Sequence, residues 1–237
     1  MKKKLVSIIV PVYNEEKTVG KVINSLLELK PDNFNTEIII INDGSTDNTK
    51  KAIFKFKDRR NIKIIEHKEN QGKGAAVRDG IKVSKGDIII IQDADLEYEP
   101  QEIIKCINPI LQGKAKVVYG SRFLSKDNVK RIIDHGSIIF YLGNKIVTFF
   151  TNLCFNTRLT DEATCYKTFE SSIIKSIKIE SSGFEWEPEV TAKILKQGIK
   201  IKEVPIKYNP RIKGKKIKYR DGIKAILTIL KYKFFYP

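Results

Sequence analysis

Gln92-Asp93-Ala94-Asp95-Leu96-Glu97 follows directly on the apolar run Asp87 to Ile91. Two carboxylates one residue apart therefore emerge where a buried strand meets solvent, and Asp93 and Asp95 point the same way if the chain stays extended. Hard oxygen ligands of this kind suit Mg²⁺ or Mn²⁺, ions that keep several waters and bridge to a substrate diphosphate. Asp93, Asp95 and Glu97 are the candidate metal ligands. Taken alone, an acidic pair after a strand also fits a solvated turn or a helix N-cap.

The elements that must position this pair are legible upstream. Glu37 to Ile41 runs into a second acidic turn, Asn42-Asp43-Gly44-Ser45-Thr46-Asp47. Gly44 allows a tight bend, Ser45 or Thr46 can cap the helix that follows, and Asp43 faces the same rim as the first pair. Leu5 to Val12 is a third apolar run, closing on Pro11-Val12-Tyr13-Asn14-Glu15. Apolar runs each followed by helix-like sequence predict βαβ units: an α/β fold with a mostly parallel sheet and helices on both faces. Right-handed crossovers then align the loops after the strands along one edge, where ligands of such sheets bind. The turn Gly72-Lys73-Gly74 lacks the spacing and terminal Ser or Thr of a phosphate-binding P-loop. Its glycines are expected to pack closely beside a nucleotide, with Lys73 a candidate ligand and Arg78 and Asp79 a surface pair on the helix that follows.

Pro11 to Glu15, Asn42 to Asp47, Asn70-Gln71-Gly72-Lys73-Gly74, Asp93-Ala94-Asp95 and Tyr119-Gly120-Ser121-Arg122, in this order, resemble family 2 glycosyltransferases of the GT-A fold. The branch most resembled is that of dolichyl- or polyprenyl-phosphate sugar synthases. The likeness continues through Leu159 to Lys167, Phe184-Glu185-Trp186-Glu187-Pro188-Glu189 and Glu203-Val204-Pro205-Ile206, with Arg211 and Gly214-Lys215-Lys216, and so covers nearly the whole chain. It implies a Rossmann-like GT-A domain and an inverting transfer of a hexose from a nucleotide sugar, of the GDP-mannose or UDP-glucose type, to polyprenyl or dolichyl phosphate.

By position, the resemblance assigns Pro11, Tyr13, Glu15, Ile41 and Asp43 to the nucleoside, and places Asp93 and Ala94 beside the ribose and metal. Mg²⁺ or Mn²⁺ on Asp95 would serve as Lewis acid for the leaving diphosphate. Arg122, Arg211 and Lys216 would approach the phosphates, where guanidinium groups bind bidentately. Asp161 stands where inverting members hold a carboxylate base, so Asp95, Asp161 and Arg122 form the candidate catalytic set; the plainer reading of Asp161 is a cap on the turn that follows. A sugar hydroxyl acceptor needs such a base, whereas a lipid phosphate is already anionic and needs cations to position it. Arg131, His135 and Lys145 are the candidates for that charge, with His135 also readable as an ordinary loop residue. Two other functions stay open: a family 2 enzyme acting on a saccharide acceptor in surface polysaccharide synthesis, and a non-catalytic nucleotide-sugar-binding membrane scaffold.

Composition agrees with one modest domain. A chain of 237 residues with 41% hydrophobic content can bury a sizeable core, and no repeat or long linker divides it. We expect a glycosyltransferase domain over residues 1–220 and a basic amphipathic C-terminal helix over 221–237. The three cysteines form no CxxC pair, which disfavours a disulfide framework or a zinc site. The N-terminus leads straight into a strand, with no signal-peptide pattern expected.

The net charge of +16 is concentrated late: Lys193 to Pro237 carries fourteen Lys or Arg against Glu203 and Asp221. A basic tail of this kind fits an anionic membrane or a diphosphate. Nucleic acid is excluded as a partner, since none of its common binding modules is present and the acidic motifs repel a phosphate backbone. Ile223, Ile226, Leu227, Leu230 and Phe234 make one apolar stripe, the pattern of a basic interfacial helix. Ile138 to Phe155 carries Ile139, Leu142, Ile146, Phe149, Phe150 and Leu153 at helical spacing. Its polar interruptions make it fall short of a membrane span, so it is expected to lie against the enzyme body or the lipid surface. The expected location is cytoplasmic, peripheral on the cytoplasmic face of the membrane, held there directly or through a membrane-protein partner.

Overall fold

The computed structural model describes residues 3–134, 138–211 and 219–235. Its deepest strands are the ones with unbroken apolar sequence. Ile38 to Ile41 of β2 (Phe34–Asp43) and all of β4 (Ile88–Ile91) are buried, as parallel strands covered on both faces must be. Between them lies β1 (Lys4–Val12), parallel to both, with Val10 opposite Ile40 and Val6 opposite Ile88. Outside β2 runs β3 (Ile62–His67), also parallel. On the other side, β6 (Lys167–Glu170) pairs antiparallel with β4 and with β5 (Val117–Ser121), which pairs in parallel with β7 (Ile201–Pro205). The seven-stranded order is β3-β2-β1-β4-β6-β5-β7. From β1 the chain moves outward to β2 and later back across to β4, so a crevice opens at the carboxyl ends of these central strands.

Nine α-helices are described: α1 (Val19–Leu27), α2 (Thr49–Phe54), α3 (Lys73–Val83), α4 (Ile103–Leu111), α5 (Lys126–Asp134), α6 (Ile138–Phe155), α7 (Ser171–Ser176), α8 (Trp186–Lys196) and α9 (Tyr219–Phe234). Helix α1 buries Val19, Val22, Ile23 and Leu26, the spacing of one helical face. Helix α3 crosses closely over the sheet at Gly80, where a Cβ would strike Ile9 and Ile41.

The strand β6 has no counterpart in the sequence reading. Its Lys167 is fully buried, a placement no pattern rule predicts. The ammonium lies 4.1 Å from the centre of the Tyr119 ring and donates to the carbonyl of Glu162, with that residue's carboxylate 3.8 Å away.

Helix α6 is amphipathic in the inverted sense. It packs on α8 and α9, burying Val147, Thr148 and Thr151, with Asn144, Lys145 and Asn152 half-buried. Ile139, Leu142, Ile146, Phe149 and Leu153 are exposed, Ile139 by 77% and Leu153 by 67%. The segment, whose polar interruptions make it fall short of a membrane span in the sequence, forms an 18-residue helix that is long and apolar enough to cross one by length and composition alone. The polar residues that interrupt its sequence are gathered on the side turned to the enzyme. Helix α9 buries Ile229 and Tyr232 and leaves Ile223, Leu227 and Phe234 exposed.

Candidate functional site

The loops after β1 and β2 are fastened to each other before they reach any ligand. Asn14 sits in the left-handed region at φ 49°, a conformation Asn tolerates because its short amide can bond locally. Its backbone N–H donates to Ser45 Oγ (3.0 Å), and its side-chain oxygen accepts from the Thr46 N–H (2.8 Å). Ser45 and Thr46 are thus spent on the neighbouring loop and neither caps α2, whose N-cap is Asn48. Gly44, at φ 65°, lies against the Glu69 and Asn70 backbone, where a Cβ has no room.

Asp43 ties this edge to the start of α3. It is 2% exposed and accepts from the Gln71 N–H (2.9 Å) and Gly72 N–H (2.8 Å), with His67 Nδ1 at 2.7 Å. His67 Nε2 lies 3.2 Å from Asp79. Asp79 therefore does not pair with Arg78, which reaches the carbonyl of Ile179 instead.

The acidic motif after β4 turns instead of running on extended, with Leu96 at φ 65°, an uncommon conformation for a bulky residue that marks stored strain. The turn directs Asp93 to Lys73, and both Asp95 and Glu97 to Arg211. Asp93 is held by Lys73 Nζ at 2.9 Å, and the same ammonium reaches Glu187 at 3.1 Å. Burial works against the Lys73 charge, but Asp93 and Glu187 outweigh it and hold the ammonium well above its ordinary range. Asp95 lies 3.3 Å from Arg211 Nη2. Burial first, then the charges of Asp93 and Glu97, push its carboxyl up to about 7 against the pull of Arg211. Glu97 accepts from the Arg211 N–H (2.8 Å) and Tyr208 Oη (3.1 Å), so it fastens the segment after β7 to the site. Arg211 also reaches Glu15 at 3.2 Å.

Across the crevice, Arg122 and Asp161 form a closed pair. Nε and Nη2 of Arg122 donate to the two carboxylate oxygens at 2.8 and 2.7 Å, the Arg122 N–H adds a bond of 2.9 Å, and Nη2 also donates to the Ala163 carbonyl. Asp161 has no exposed surface. Burial opposes the Arg122 charge, and Asp161 more than offsets it, keeping the guanidinium charged. Its central carbon lies 5.3 Å from the ring centres of both Phe123 and Tyr208.

These groups surround one cavity of about 400 Å³. Of the residues singled out in the sequence, it gathers Pro11, Tyr13, Glu15, Asp43, Asp93, Ala94, Asp95, Glu97, Arg122 and Arg211. Ile41 does not reach it; its side chain is fully buried in β2. Asp161 stands behind Arg122. Arg131 bonds Asn209 at the surface, and Lys145 lies over the Phe123 ring at 4.7 Å and donates to the Thr160 carbonyl. Both flank lining residues, Ile132 on α5 and Asn144 on α6, without lining the cavity themselves. His135 and Lys216 lie outside the described residues. Lys73, the candidate ligand of the Gly-rich turn, also lines the cavity, which adds Glu187, Phe184 and the apolar set Phe123, Ile132, Phe140 and Tyr141. Glu187 falls within the Phe184 to Glu189 motif, which was the available signal; its pairing with Lys73, 114 residues earlier, was not. Among the described residues no group of three or more His, Cys, Asp or Glu is arranged as a metal cluster. The chemistry at hand is a wall of carboxylates, Glu15, Asp43, Asp93, Asp95, Glu97 and Glu187, served by the cations Lys73 and Arg211, with a fixed guanidinium, Arg122, in the same cavity.

The doubly wound sheet with this crevice is the architecture of GT-A glycosyltransferases. Glucosyl-3-phosphoglycerate synthase from Mycobacterium tuberculosis, solved with Mn²⁺, UDP and phosphoglyceric acid, superposes with a TM-score of 0.72 over 98% of this chain and 79% of that one, at 18% identity, a likeness of fold. The family model for glycosyl transferase family 2 matches residues 7–178, more than half the chain, and the protein belongs to that family. Among its relatives are UDP-N-acetylglucosamine–dolichyl-phosphate N-acetylglucosaminyltransferase of Methanococcus voltae, 32% identical over 87% of this chain and 86% of its own length, and dolichyl-phosphate beta-glucosyltransferase ALG5D of Trichomonas vaginalis, 29% identical over 98% and 73%. Dolichol-phosphate mannosyltransferase of Pyrococcus furiosus is 25% identical over 88% of this chain and 58% of its own length.

Proposed function

We propose that this glycosyltransferase moves a hexose from a nucleotide sugar to a polyprenyl or dolichyl phosphate, with inversion, using Mg²⁺ or Mn²⁺. The observation that carries the reading is the division of one cavity into two chemistries. Carboxylates and cations line the side formed by the loops after β1, β2 and β4, and Phe123, Ile132, Phe140 and Tyr141 line the side beneath α5 and α6. The first suits a nucleoside diphosphate with a cation, the second an isoprenoid chain. The names of the relatives agree with such an acceptor.

Asp93 and Asp95 fit a divalent cation by donor chemistry: both present hard carboxylate oxygens, and the charge around Asp95 is deficient in cations. A bound ion would supply Lewis-acid stabilisation of the leaving diphosphate. Glu97, bonded at both oxygens to Tyr208 and Arg211, positions the segment that carries Arg211. Arg122, fixed by Asp161, lines the cavity with its charge held in place. A lipid phosphate attacks as an anion and requires no base, which accords with an Asp161 whose oxygens are both occupied by Arg122. A saccharide acceptor would need a free carboxylate at that place.

The exposed apolar faces of α6 and α9, beside a basic C-terminal region, support peripheral attachment to an anionic membrane on its cytoplasmic side, directly or through a membrane-protein partner. In this reading residues 1–220 are the catalytic domain and 221–237 its membrane-facing helix.

The test is transfer of radiolabel from nucleotide sugars to a short polyprenyl phosphate in Mg²⁺ or Mn²⁺, read as label entering organic solvent. Chelator-sensitive transfer is expected, reduced about 10²- to 10³-fold in Asp95→Ala, the range for losing one transition-state charge stabiliser. Transfer to saccharide acceptors alone, or undiminished activity in folded Asp95→Ala, overturns the proposal.

A further inference from the structure

Lys73 is the first residue of α3 and Glu187 the second of α8, and the sequence brings them together through glycine. A Cβ on Gly72 or Gly74 would run into the backbone of Ser181 and Ser182, and the Ala75 N–H donates to the Ser182 carbonyl at 3.1 Å. This close approach presses Lys73 between Asp93 and Glu187, with the Phe184 ring 5.7 Å from its ammonium. The Glu187 backbone is held from behind, its carbonyl accepting from Thr191 Oγ1, which in turn meets Tyr119 Oη.

The charge count along this wall is uneven. One ammonium serves two carboxylates, and Arg211, the other cation lining the cavity on this side, is engaged with Asp95, Glu15 and Glu97. Among the described residues the Glu187 carboxylate has Lys73 as its sole hydrogen-bond partner, through Oε1, and the residue lines the cavity. A carboxylate that is 5% exposed and half-satisfied asks for a hydrogen-bond donor from a ligand. It repels phosphate, so the donor is a neutral hydroxylated group. Asp93, on the other side of Lys73, leads from here to the diphosphate end.

We infer that Glu187, oriented by Lys73 and bordered by Phe184, is a hydroxyl-binding subsite for the hexose of the donor. The inference rests on the nucleotide-sugar reading and adds to it the residue that distinguishes the sugar from the bare nucleotide. A site built around a substrate hydroxyl discriminates strongly against the analogue lacking it, because the carboxylate is then left unpaired.

Calorimetry separates the two claims. Wild type, Glu187→Ala and the volume-conserving Glu187→Gln are titrated, with Mg²⁺ present, with UDP and GDP and with UDP-glucose, GDP-mannose and UDP-N-acetylglucosamine. The affinity for UDP or GDP is expected to stay unchanged, while that for the cognate nucleotide sugar falls about 10- to 100-fold in Glu187→Ala, the value of a hydrogen bond to a charged group. Glu187→Gln moves in the same direction by less, and reports the effect if the alanine variant fails to fold. With monodeoxy donors, wild type should lose kcat/KM at one ring position to which Glu187→Ala is indifferent. Equal effects on nucleotide and nucleotide sugar, including none on either, overturn the subsite. Failure of the wild type to bind any of the five ligands overturns the nucleotide-sugar reading and the subsite with it.

Discussion

The two ends of the cavity are held by different forces. Where the loops after β1, β2 and β4 meet, Lys73 bridges Asp93 and Glu187, and Arg211 reaches Glu15 and Asp95, all within 3.3 Å. Beneath α5 and α6 the lining is Phe123, Ile132, Phe140 and Tyr141, and the cations of that region, Arg131 and Lys145, stand behind it. Ion pairs at such distances, away from bulk water, fix one geometry. Apolar contact is non-directional and scales with area. The first end is built to select a ligand atom by atom, the second to accept a chain of variable shape. Arg122 lies at the join, its charge fixed by Asp161 and its central carbon close to the rings of Phe123 and Tyr208.

Breaking that join should have the largest effect. Asp161→Asn leaves Arg122 buried with an uncompensated charge and is expected to lower unfolding free energy by about 3–5 kcal/mol, read in urea denaturation. If Asp161 were an open general base, the same substitution would abolish turnover and leave stability intact.

A substitution on the outer face of α6 sharpens the contrast from the apolar side. Phe149→Lys, at a position 62% exposed, should leave stability within about 0.5 kcal/mol. It should weaken sedimentation with anionic vesicles about tenfold or more, the cost of removing one large apolar group from the lipid boundary. Unchanged vesicle binding would free α6 from that role.

The smallest effect concerns the loop behind the charged end. Glu189 accepts from the N–H groups of Glu180 and Ser181 and from Lys193. Burial alone would raise its carboxyl, but these bonds prevail and hold it below the ordinary 4.5. With the folded value depressed, its contribution to stability is present above the unfolded value and is lost as pH falls through the folded one. Melting temperature of the wild type should therefore decline on the acid side more steeply than that of Glu189→Gln; parallel curves would remove Glu189 as the anchor.

Much of the site was legible because it is local. Asp93, Asp95, Asp43, Tyr13 and Glu15 sit at the ends of strands whose apolar runs are continuous, and a parallel sheet delivers such ends to one edge. Arg211 was legible by resemblance, though its partner Glu15 lies 196 residues away. Two readings failed for one reason: short polar side chains have several partners in reach, and only the fold selects among them. Ser45 and Thr46 bond the Asn14 loop instead of capping α2, and Asp79 is taken by His67. The pairing of Asp161 with Arg122 was likewise set by the fold.

The sequence by itself determined the apolar strands β1, β2 and β4 and the order of the loops that follow them, since periodicity, glycine and apolar run length act within a few residues of one another. Strand β6, with its buried Lys167, was set by the fold. Tertiary structure decided which charges pair and which side of α6 is turned outward. An amphipathic pattern states that a helix has two faces, and only the neighbouring α8 and α9, by taking the face with Thr148 and Thr151, settled that the apolar one would be left exposed.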